Sequence, residues 1–550
     1  MSTSSNIDSE KHSKEEDAQP DPEPEYPSFG KLAVIILGLY MSVFLVALDQ
    51  TIISVAIPKI TNEFKSIEDI AWYGSAYFLT STVLQPSYGR LYKVFSAKWT
   101  FVSAVLIFEI GSLISALAPS STVLIVGRAI SGIGEAGIFS GSMIIIAQSV
   151  PLPKRPLLFG MIGMVWGVAS IAGPLMGGAF TDSVTWRWCF YINLPIGGLS
   201  MLIIIFILKL PEQTEFKGTP LLERIKQLDF LGASLIISCI ICLLLALQWG
   251  GNKYPWNNSR IIGLFIGFGL LTIITIVSQI KLGDRATFPP RIMKRHAVIS
   301  SISYAFLFGG AYFTLVYYLP IFFQSVRGSS AMSSGIKLLP LMLATVVSSV
   351  ATGILVTIFG YYTPFLIGGT ALASIGSGLV TMYSIDTPSG KWIGYQILLG
   401  AGVGPGFQIP LAAVQTSLKP ADIPQGTTVL MFFQTLGGAV FLSVAQSLFQ
   451  NGLIDGVKAY APSVDPAKIV DAGATEMRHV LSELGQLDQL RNVILAFLDG
   501  LQDTYKLTTA LFCVAFAVSC TFQWKSVKDG GAGGGAKDKA EPAVPAVETA

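Results

Sequence analysis

Long apolar segments recur along the whole chain, and they constrain its fold more than any other feature. A helix needs roughly 20 apolar residues to cross the hydrocarbon core of a bilayer, which is about 30 Å thick. Segments near or beyond that length lie at residues 32–57, 70–92, 99–118, 122–149, 156–180, 189–209, 228–249, 261–281, 297–325, 335–358, 363–384, 391–417, 425–450 and 504–524. With 51% hydrophobic and only 13% charged residues in 550, the chain is too apolar for a soluble protein of this size. The sequence predicts an all-α membrane protein with fourteen transmembrane helices, called spans 1 to 14 below.

The charges in the loops predict the orientation. If the N-terminus is cytoplasmic, Lys and Arg are more frequent in the short inner loops than in the short outer loops, and this bias sets the orientation of membrane proteins. We therefore expect both termini in the cytoplasm. Residues 1–31 and 525–550 are polar or rich in Gly, Ala and Pro, which predicts disordered tails. The net charge of +2 leaves no surplus basic surface for nucleic acid.

An internal repeat predicts how the spans are grouped. "GRLYKVFS" and "RAISGIG" in the first half align with "GILVTIFG" and "QILLGAG" in the second. The alignment pairs Gly89 with Gly353, Arg128 with Gln396, Gly132 with Gly400, and Gly134 with Gly402. Repeats of this kind build transport sites at the interface between two halves.

The repeat divides the chain into two bundles. We expect six-helix bundles at residues 32–209 and 282–524, joined by a cytoplasmic loop and two inserted linker helices at residues 210–281. The outer segment 451–503 has leucines at helical spacing, which predicts short amphipathic helices over the outer mouth.

Four ionisable residues lie at membrane depth, all in the first half: Asp49, Glu109, Arg128 and Glu135. Each costs roughly 2.5 to 3.5 kcal/mol at a helix centre on insertion scales, so each is a candidate functional residue. A rise of about 1.5 Å per residue places Asp49, Glu109 and Arg128 roughly 9 to 14 Å from the outer ends of their spans, where they can form one network. The alternative, that they brace the helices, stays open. For Glu135, which follows the glycines of span 4, the structural interpretation is favoured.

A proton-coupled carrier needs an embedded acid whose pKa responds to water access and to a nearby cation. The three histidines all lie outside the spans, so a carboxylate must fill this role if protons are coupled. We therefore predict proton coupling by Asp49, with Arg128 as its modulator and Glu109 as a further candidate. No cofactor is expected, and the absence of a P-loop motif from the sequence leaves the proton gradient as the energy source.

Glycine and proline dominate span 5, "GMIGMVWGVASIAGPLMGG". Small residues on one face allow another helix to approach closely, and Pro174 kinks the helix near its outer end. This pattern suits a rocking interface between the halves, and it suits tight static packing equally well.

Other motifs in the chain are weak. The five cysteines lie in or beside apolar spans, where ordinary buried residues are the favoured interpretation, so no metal site is predicted. No nucleophile, base and orienting residue form a set that would indicate an enzyme. Asn257 begins a glycosylation sequon on the predicted outer side, very close to span 8.

Several motifs together resemble those of the major facilitator superfamily. "GRLYKVFSAK", "RAISGIGEAG" and "GVASIAGPLMGG" are similar to its signatures in the loop between spans 2 and 3, in span 4 and in span 5. "LDQTIISVAIPKI" resembles the span 1 signature of the fourteen-helix drug:proton antiporter branch. "WRWCFYINLPIGG", "FEIGSLISALAPSS", "YYLPIFFQSVRGSSAMSSGIKLLP" and "FQNGL" resemble fungal members, which include efflux pumps for toxins and other secondary metabolites.

The resemblance implies an alternating-access carrier that exchanges an amphipathic organic compound for protons. Spans 1, 4, 9 and 12 would line its central cavity, which supports Asp49 and Arg128 as cavity groups and makes Glu109 an indirect partner behind them. The antiporter signature of span 5 corresponds to Gly167, Gly173, Pro174, Gly177 and Gly178.

The loop between spans 2 and 3 departs from the family pattern. It keeps Gly89 and Leu91, but Lys93 replaces the aspartate and Ser96 replaces the second glycine. The family's latch through that aspartate therefore cannot operate here in its usual form.

Aromatic and amide side chains on the cavity spans are the candidates for substrate contact, because they bind large, weakly polar ligands with little directional demand. They are Tyr304, Phe308 and Tyr312 in span 9, Gln396 and Gln408 in span 12, and Gln434 in span 13. Packing or lipid contact is the alternative for each of them.

Taken together, the sequence predicts a monomeric, multi-pass proton antiporter of the plasma membrane that exports a toxin, secondary metabolite or drug. Its partners would be an amphipathic small molecule, protons and the lipid bilayer. A vacuolar location, uptake of a nutrient or siderophore by the same fold, and a non-transporting membrane sensor are the alternatives. The lack of a recognisable soluble output domain weighs against a sensor.

Overall fold

The computed structural model describes residues 26–65, 69–210, 218–251 and 254–528. Within them, fourteen long helices follow one another: α1 (Phe29–Phe64), α2 (Ile70–Val94), α3 (Ala97–Ala116), α4 (Ser121–Ser149), α5 (Arg155–Ser183), α6 (Asn193–Ile207), α7 (Phe230–Trp249), α8 (Ser259–Leu282), α9 (His296–Ile321), α10 (Leu339–Phe359), α11 (Thr363–Val380), α12 (Ser389–Ser417), α13 (Ile423–Tyr460) and α14 (Leu490–Ser519). A short helix, Trp188–Tyr191, precedes α6. The amphipathic helix Pro466–Glu483, between α13 and α14, is called the cap helix.

Twelve of the described helices are long and apolar enough to cross a membrane. The other two long helices, α2 and α14, are less apolar because α2 carries many Ser, Thr and Tyr residues and α14 starts with a polar stretch. Both nevertheless pack within the bundles. The prediction of an all-α membrane protein is confirmed, and the long helices agree with the fourteen predicted spans.

The outer segment 451–503 differs from its prediction. α13 continues to Tyr460 and α14 begins at Leu490, so both ends of this segment extend spanning helices. The two extensions pair closely, because Gly452 packs against Gly500 and Gly456 packs against Ala496. A Cβ added to Gly452 or to Gly456 would lie only 2.8 Å from the Cα of the facing residue. Only the cap helix is a separate amphipathic element.

The described parts of the predicted tails are also ordered against the bundles. α1 already begins at Phe29. Near the other end, the Val527 amide donates to the carbonyl of Gly360 at 2.8 Å, and Lys528 Nζ donates to the carbonyl of Ile358 at 2.6 Å. Residues 1–25 and 529–550, the remainder of the predicted tails, lie outside the described residues.

The helices form two bundles, α1–α6 and α9–α14, called the first and second halves. The most extensive contacts between the halves are those of α2 with α13 and of α5 with α10. The inserted α7 lies against α2 and α13, whereas α8 packs mainly on α7. Because α8 exposes apolar side chains such as Ile266, Leu270 and Ile273, its outer face suits lipid. The predicted architecture of two six-helix repeats plus two inserted helices is confirmed.

Glycines that the repeat aligns make equivalent contacts in the two halves. A Cβ on Gly132 of α4 would overlap the carbonyl of Tyr77 on α2, and one on Gly400 of α12 would overlap the carbonyl of Leu341 on α10. Gly134 likewise abuts the backbone of α3, and Gly402 abuts that of α11. Since α2 corresponds to α10 and α3 to α11, the repeat marks the positions where helices approach closely enough to exclude every side chain but glycine.

The halves are closed against each other on one side, called the tail side because both described chain ends lie there. On this side Thr435 donates to Gln85 Oε1 at 3.0 Å, and Arg155 donates to Gln415 Oε1 at 3.4 Å. The apolar cluster on the tail side combines residues of both halves. On the opposite side, the cap side, the cluster around Trp186 contains described residues of the first half alone.

The close approach of α11 to α12 leads to a stability prediction. Gly402→Ala would place a Cβ against the backbone of Ala373, and overpacking of this kind costs about 1–3 kcal/mol. Gly394→Ala on the same helix meets no atom within 4 Å and is the matched control. We expect the melting temperature of the purified protein in detergent, followed by fluorescence-detected size exclusion, to fall for Gly402→Ala and to hold or rise for Gly394→Ala. Equal melting temperatures would contradict the close approach.

Candidate functional site

A buried ion pair joins α1 to α4. Arg128 Nη1 donates to Asp49 Oδ2, and the exposed fractions of the two side chains are 1% and 0%. Arg128 Nε also donates to the carbonyl of Tyr73 on α2 at 2.9 Å, and the guanidinium lies 4.3 Å from the centre of the Tyr77 ring. Sequence reasoning placed Asp49 and Arg128 at similar depth, and the structure brings them into direct contact. Because burying either charge alone is far more costly than burying the pair, each depends on the other.

The second oxygen of Asp49 is held by a residue that sequence reasoning missed. Asn193 Nδ2 lies 3.3 Å from Asp49 Oδ1 and 3.1 Å from Ser112 Oγ. Asn193 begins α6, directly after the break that follows the short helix Trp188–Tyr191. The signal lies in "YINLPIGG", where Asn193 is a polar but uncharged residue at membrane depth. The Asp49 carboxylate therefore contacts Arg128 of α4 and Asn193 of α6, and Asn193 in turn contacts Ser112 of α3.

Glu109 does not join the ion pair. Its side chain on α3 is 6% exposed and packs against Gly197 of α6, where a Cβ would overlap Oε1. Neither of its carboxylate oxygens has a hydrogen-bond partner among the described residues. Glu109 lies one helical turn from Ser112 on α3, and its part in proton coupling stays a prediction.

Glu135 faces α1 beside the ion pair. Gln50 Nε2, on the residue that follows Asp49, donates to Glu135 Oε1 at 3.1 Å. Among the described residues no cation lies within ion-pair distance of Glu135. The two acids are thus connected through neighbouring residues of α1, although Glu135 was read as a structural residue.

The aromatic candidates of α9 form a stack with Phe407 of α12. Ring centres are 5.6 Å apart for Tyr304 and Phe308 and 6.3 Å apart for Phe308 and Tyr312. Phe407 packs edge-on against Phe308 and Tyr312 at 5.0 and 4.8 Å. Tyr304 is buried and its hydroxyl lies 2.9 Å from Thr370 Oγ1 on α11, so it faces the back of the bundle. Tyr312 and Phe407 are only partly buried and are better placed for ligand contact.

The candidate glutamines occupy different places. Gln396 is fully buried in the second half beside Tyr383. Gln408 faces α5 across the interface, with its Oε1 3.2 Å from a Cβ on Gly160, and neither polar atom of its amide has a partner among the described residues. Gln434 is partly buried, and its backbone packs on Gly309 of α9. Gln408 therefore lies at the interface between the halves, whereas the contacts of Gln396 and Gln434 are with residues of the second half.

The glycines of α5 contact both halves. Gly173 and Gly177 pack on Thr51 and Ile52 of α1, a few residues beyond Asp49. A Cβ added to Gly177 would lie 2.7 Å from the carbonyl oxygen of Ile52. A Cβ added to Gly167 would lie 2.8 Å from the side chain of Val346 on α10. The kink residue Pro174 lies inside the helix, and Gly178 is partly exposed. α5 thus connects the segment of α1 that carries Asp49 to the opposite half.

An ion cluster closes the tail side where the family pattern is broken. Lys93 Nζ, in the place of the usual aspartate, lies 2.9 Å from Asp422 Oδ1, and both side chains are buried. Arg291 donates to both oxygens of Asp422, at 2.8 and 3.0 Å, and to Asp284 at 3.0 Å. The hydrogen bonds that Arg291 donates to Asp422 and Asp284 raise the pKa of its guanidinium above the usual value, so it stays charged. The polarity of the latch is reversed, with the cation on the first half and the anion at the start of α13.

The other two residues of the loop motif support this contact. Gly89 lies so close to Thr428 of α13 that a Cβ would overlap the Thr428 hydroxyl. Leu91 packs against the apolar cluster of the tail side. Asn257 is far from this region: it is exposed in the turn before α8, where the side chain of the next residue, Asn258, caps the helix by accepting from the Arg260 amide at 2.9 Å. Its glycosylation stays a prediction.

Comparisons with known proteins agree with this geometry. The sequence model of the Major Facilitator Superfamily matches residues 39–442. The chain is similar to the MFS-type efflux pump MFS1 of Arthroderma benhamiae, with 51% identity over 90% of this chain and 92% of that protein. It is also similar to the efflux pump aflT of Aspergillus parasiticus, with 45% identity over 90% of this chain and 96% of that protein. The solved proton:xylose symporter XylE shares the fold, with a TM-score of 0.57 and 15% identity over 91% of this chain and 98% of that chain.

The ion cluster leads to a prediction about opening of the tail side. Asp422→Asn leaves Lys93 buried without an anion, and removing one partner of a buried pair costs about 3–5 kcal/mol. Position 349 on α10 is covered by Gly160 and Gly163 of α5 in the closed state. We expect a cysteine introduced there by Ser349→Cys to react with a maleimide at least about tenfold faster when Asp422→Asn is also present than when it is absent. Labelling would be read by mass spectrometry, with the exposed natural Cys520 as reference.

The matched control for this experiment is Asp284→Asn, which removes the exposed partner of Arg291 and leaves the buried pair intact. Its labelling rate should equal that of the parent protein. Equal rates in the Asp422→Asn and Asp284→Asn backgrounds would mean that the ion cluster does not hold the tail side closed.

Proposed function

Because the chain belongs to the Major Facilitator Superfamily, we propose that it exports an amphipathic organic compound by alternating access, in exchange for protons. The similar fungal proteins are named efflux pumps, which supports outward transport. The observation that carries the proton part is the buried pair of Asp49 and Arg128, since no other acid among the described residues is paired with a cation at membrane depth.

Proton exchange follows from the electrostatics of this pair. A carboxylate and a guanidinium away from water attract each other strongly. A proton that reaches Asp49 removes the negative charge, and the attraction that holds Arg128 is lost. The pair therefore has a closed, deprotonated arrangement and an open, protonated one. A substrate that favours one of them over the other shifts the population, and this is the coupling that an antiporter needs.

Movement reaches the second half through α5. A displacement of α1 at Thr51 and Ile52 would push on Gly173 and Gly177, because these glycines pack directly against Thr51 and Ile52 and the Thr51 hydroxyl also donates to the carbonyl of Ala169 on α5 at 3.1 Å. α5 transmits the displacement to Val346 of α10 across the interface. The contact between α5 and α10 is one of those that join the halves on the tail side.

The substrate would bind between the halves, against the second one. Tyr312 and Phe407 offer aromatic faces, and the amides of Gln408 and Gln434 offer donors and acceptors. Such a lining suits large, weakly polar molecules. In the cell, we place the carrier in the plasma membrane as a monomer, with the tails in the cytoplasm and the cap side outside, as the loop charges favour.

The test uses inside-out membrane vesicles with an acidic interior and rhodamine 6G, an amphipathic fluorescent dye, outside. The proton gradient should drive dye into the vesicles. Asp49→Asn cannot exchange a proton at this site, so gradient-driven uptake should fall by about tenfold or more, as expected when a hydrogen-bonded charge is removed. The measurement is dye fluorescence with and without an uncoupler.

Glu63→Gln is the matched control, because Glu63 is an acid at the exposed end of the same helix, paired with Arg187. It should transport like the parent. If uptake ignores the gradient, or if Asp49→Asn transports as well as the parent, proton exchange at Asp49 is excluded. Accumulation in the opposite direction would make the protein an importer.

A further inference from the structure

Asn193 is placed to serve Asp49 in both of its protonation states. Its amide nitrogen carries two hydrogens, and the structure directs one to Asp49 Oδ1 and the other to Ser112 Oγ. This arrangement suits a carboxylate, which only accepts hydrogen bonds. The exposed fraction of Asn193 is 0%, so no water outside the protein competes for these contacts.

The other end of the same amide has nothing to bind. Asn193 Oδ1 is buried and has no hydrogen-bond partner among the described residues. Buried acceptors are rarely left unpaired, and an exception calls for an explanation. A protonated Asp49 would supply the missing donor, because a carboxylic acid has an O–H group that needs an acceptor once Arg128 has moved away.

We infer that Asn193 is a positioning residue that hydrogen-bonds Asp49 in both states, with the proton bound to Asp49 and without it. This inference rests on the proton exchange proposed above. In the proton-free state, Nδ2 donates to the carboxylate. When a proton from solution adds to a carboxylate oxygen, the amide turns about its χ2 bond and Oδ1 accepts the new O–H. No other covalent bond forms or breaks, and the proton leaves by the reverse step.

Ser112 makes this turn feasible. A serine hydroxyl both donates and accepts. It accepts from Nδ2 in the present arrangement, and it can rotate to donate to Oδ1 when the amide turns. The Asn193 and Ser112 pair therefore keeps its mutual hydrogen bond in both states, whereas an apolar neighbour would leave the protonated acid unpaired.

Other titratable groups also act on Asp49 and stay in place in the test. They come from the helices around it: Arg128 and Glu135 of α4, Glu109 of α3, Tyr77 of α2 and Cys189 of the short helix before α6. None of them is changed in the variants proposed below.

The same pair of helices offers a matched control. Ser42 of α1 and Ser200 of α6 lie two helical turns from Asp49 and Asn193, and their hydroxyl oxygens are 2.6 Å apart in a fully buried contact. Ser200→Ala removes a buried hydrogen bond between α1 and α6 without touching Asp49. It shows what the loss of such a bond does to the packing alone.

The experiment compares two transport modes in vesicles that contain the full chain. Rhodamine 6G exchange at equal pH on both sides needs substrate binding and the conformational change, but no net proton step. Uptake driven by a pH gradient needs the proton step as well. Asn193→Leu removes both polar groups at similar volume, and Asn193→Asp keeps the shape but replaces the amide N–H donors with a second carboxyl group, which competes with Asp49 for the proton. We expect gradient-driven uptake to fall about tenfold in both variants, with dye exchange close to that of the parent, while Ser200→Ala keeps both modes.

Other outcomes overturn the inference. If the Asn193 variants keep gradient-driven uptake, the amide is not needed for the proton step. If they lose exchange and uptake equally, or if neither reaches the membrane while Ser200→Ala does, Asn193 is only structural. If the parent itself shows exchange without any gradient dependence, the proposed proton antiport fails, and the inference fails with it.

Discussion

The buried contact between Asp49 and Arg128 is the interaction on which the first half of the structure depends. Two charges at membrane depth are tolerated only because each neutralises the other and the remaining polar atoms find partners. Those partners come from the carbonyl of Tyr73 on α2 and the amide of Asn193 on α6, which in turn reaches α3 through Ser112. α5 completes the set by packing its glycines on α1 just beyond Asp49. A change in the protonation of Asp49 therefore affects contacts with all the other helices of this half.

The second half uses the same scaffold without the charges. Gly400 and Gly402 approach α10 and α11 as Gly132 and Gly134 approach α2 and α3, yet the position equivalent to Arg128 is the neutral Gln396. Its interior is an aromatic stack of α9 and α12. Under the proposed function one ion pair would be enough for proton exchange, and each further buried charge would cost free energy. The neutral half is left to accommodate a large ligand.

The tail-side latch shows how a broken motif can keep its role. Lys93 stands where the family has an aspartate, and the sequence alone predicted only that the usual latch fails. The structure supplies an anion at the matching place, Asp422 at the start of α13, where the helix dipole also favours negative charge. Arg291, in the segment that follows the inserted helices, also donates two hydrogen bonds to Asp422. The contact between the halves is preserved with its charges exchanged.

The sequence by itself determined the membrane class, the number of long helices, the repeat and the identity of the costly charges, because hydropathy, helical length and glycine spacing are local properties. It placed Asp49 and Arg128 at one depth, since rise per residue is constant. It could not find Asn193, identify Asp422 as the partner of Lys93, or separate the buried Tyr304 from the better placed Tyr312. Those outcomes depend on how each helix is rotated about its axis and on which helices meet, and these are set by packing among residues far apart in the chain. Tertiary structure alone decided which polar atoms would be paired.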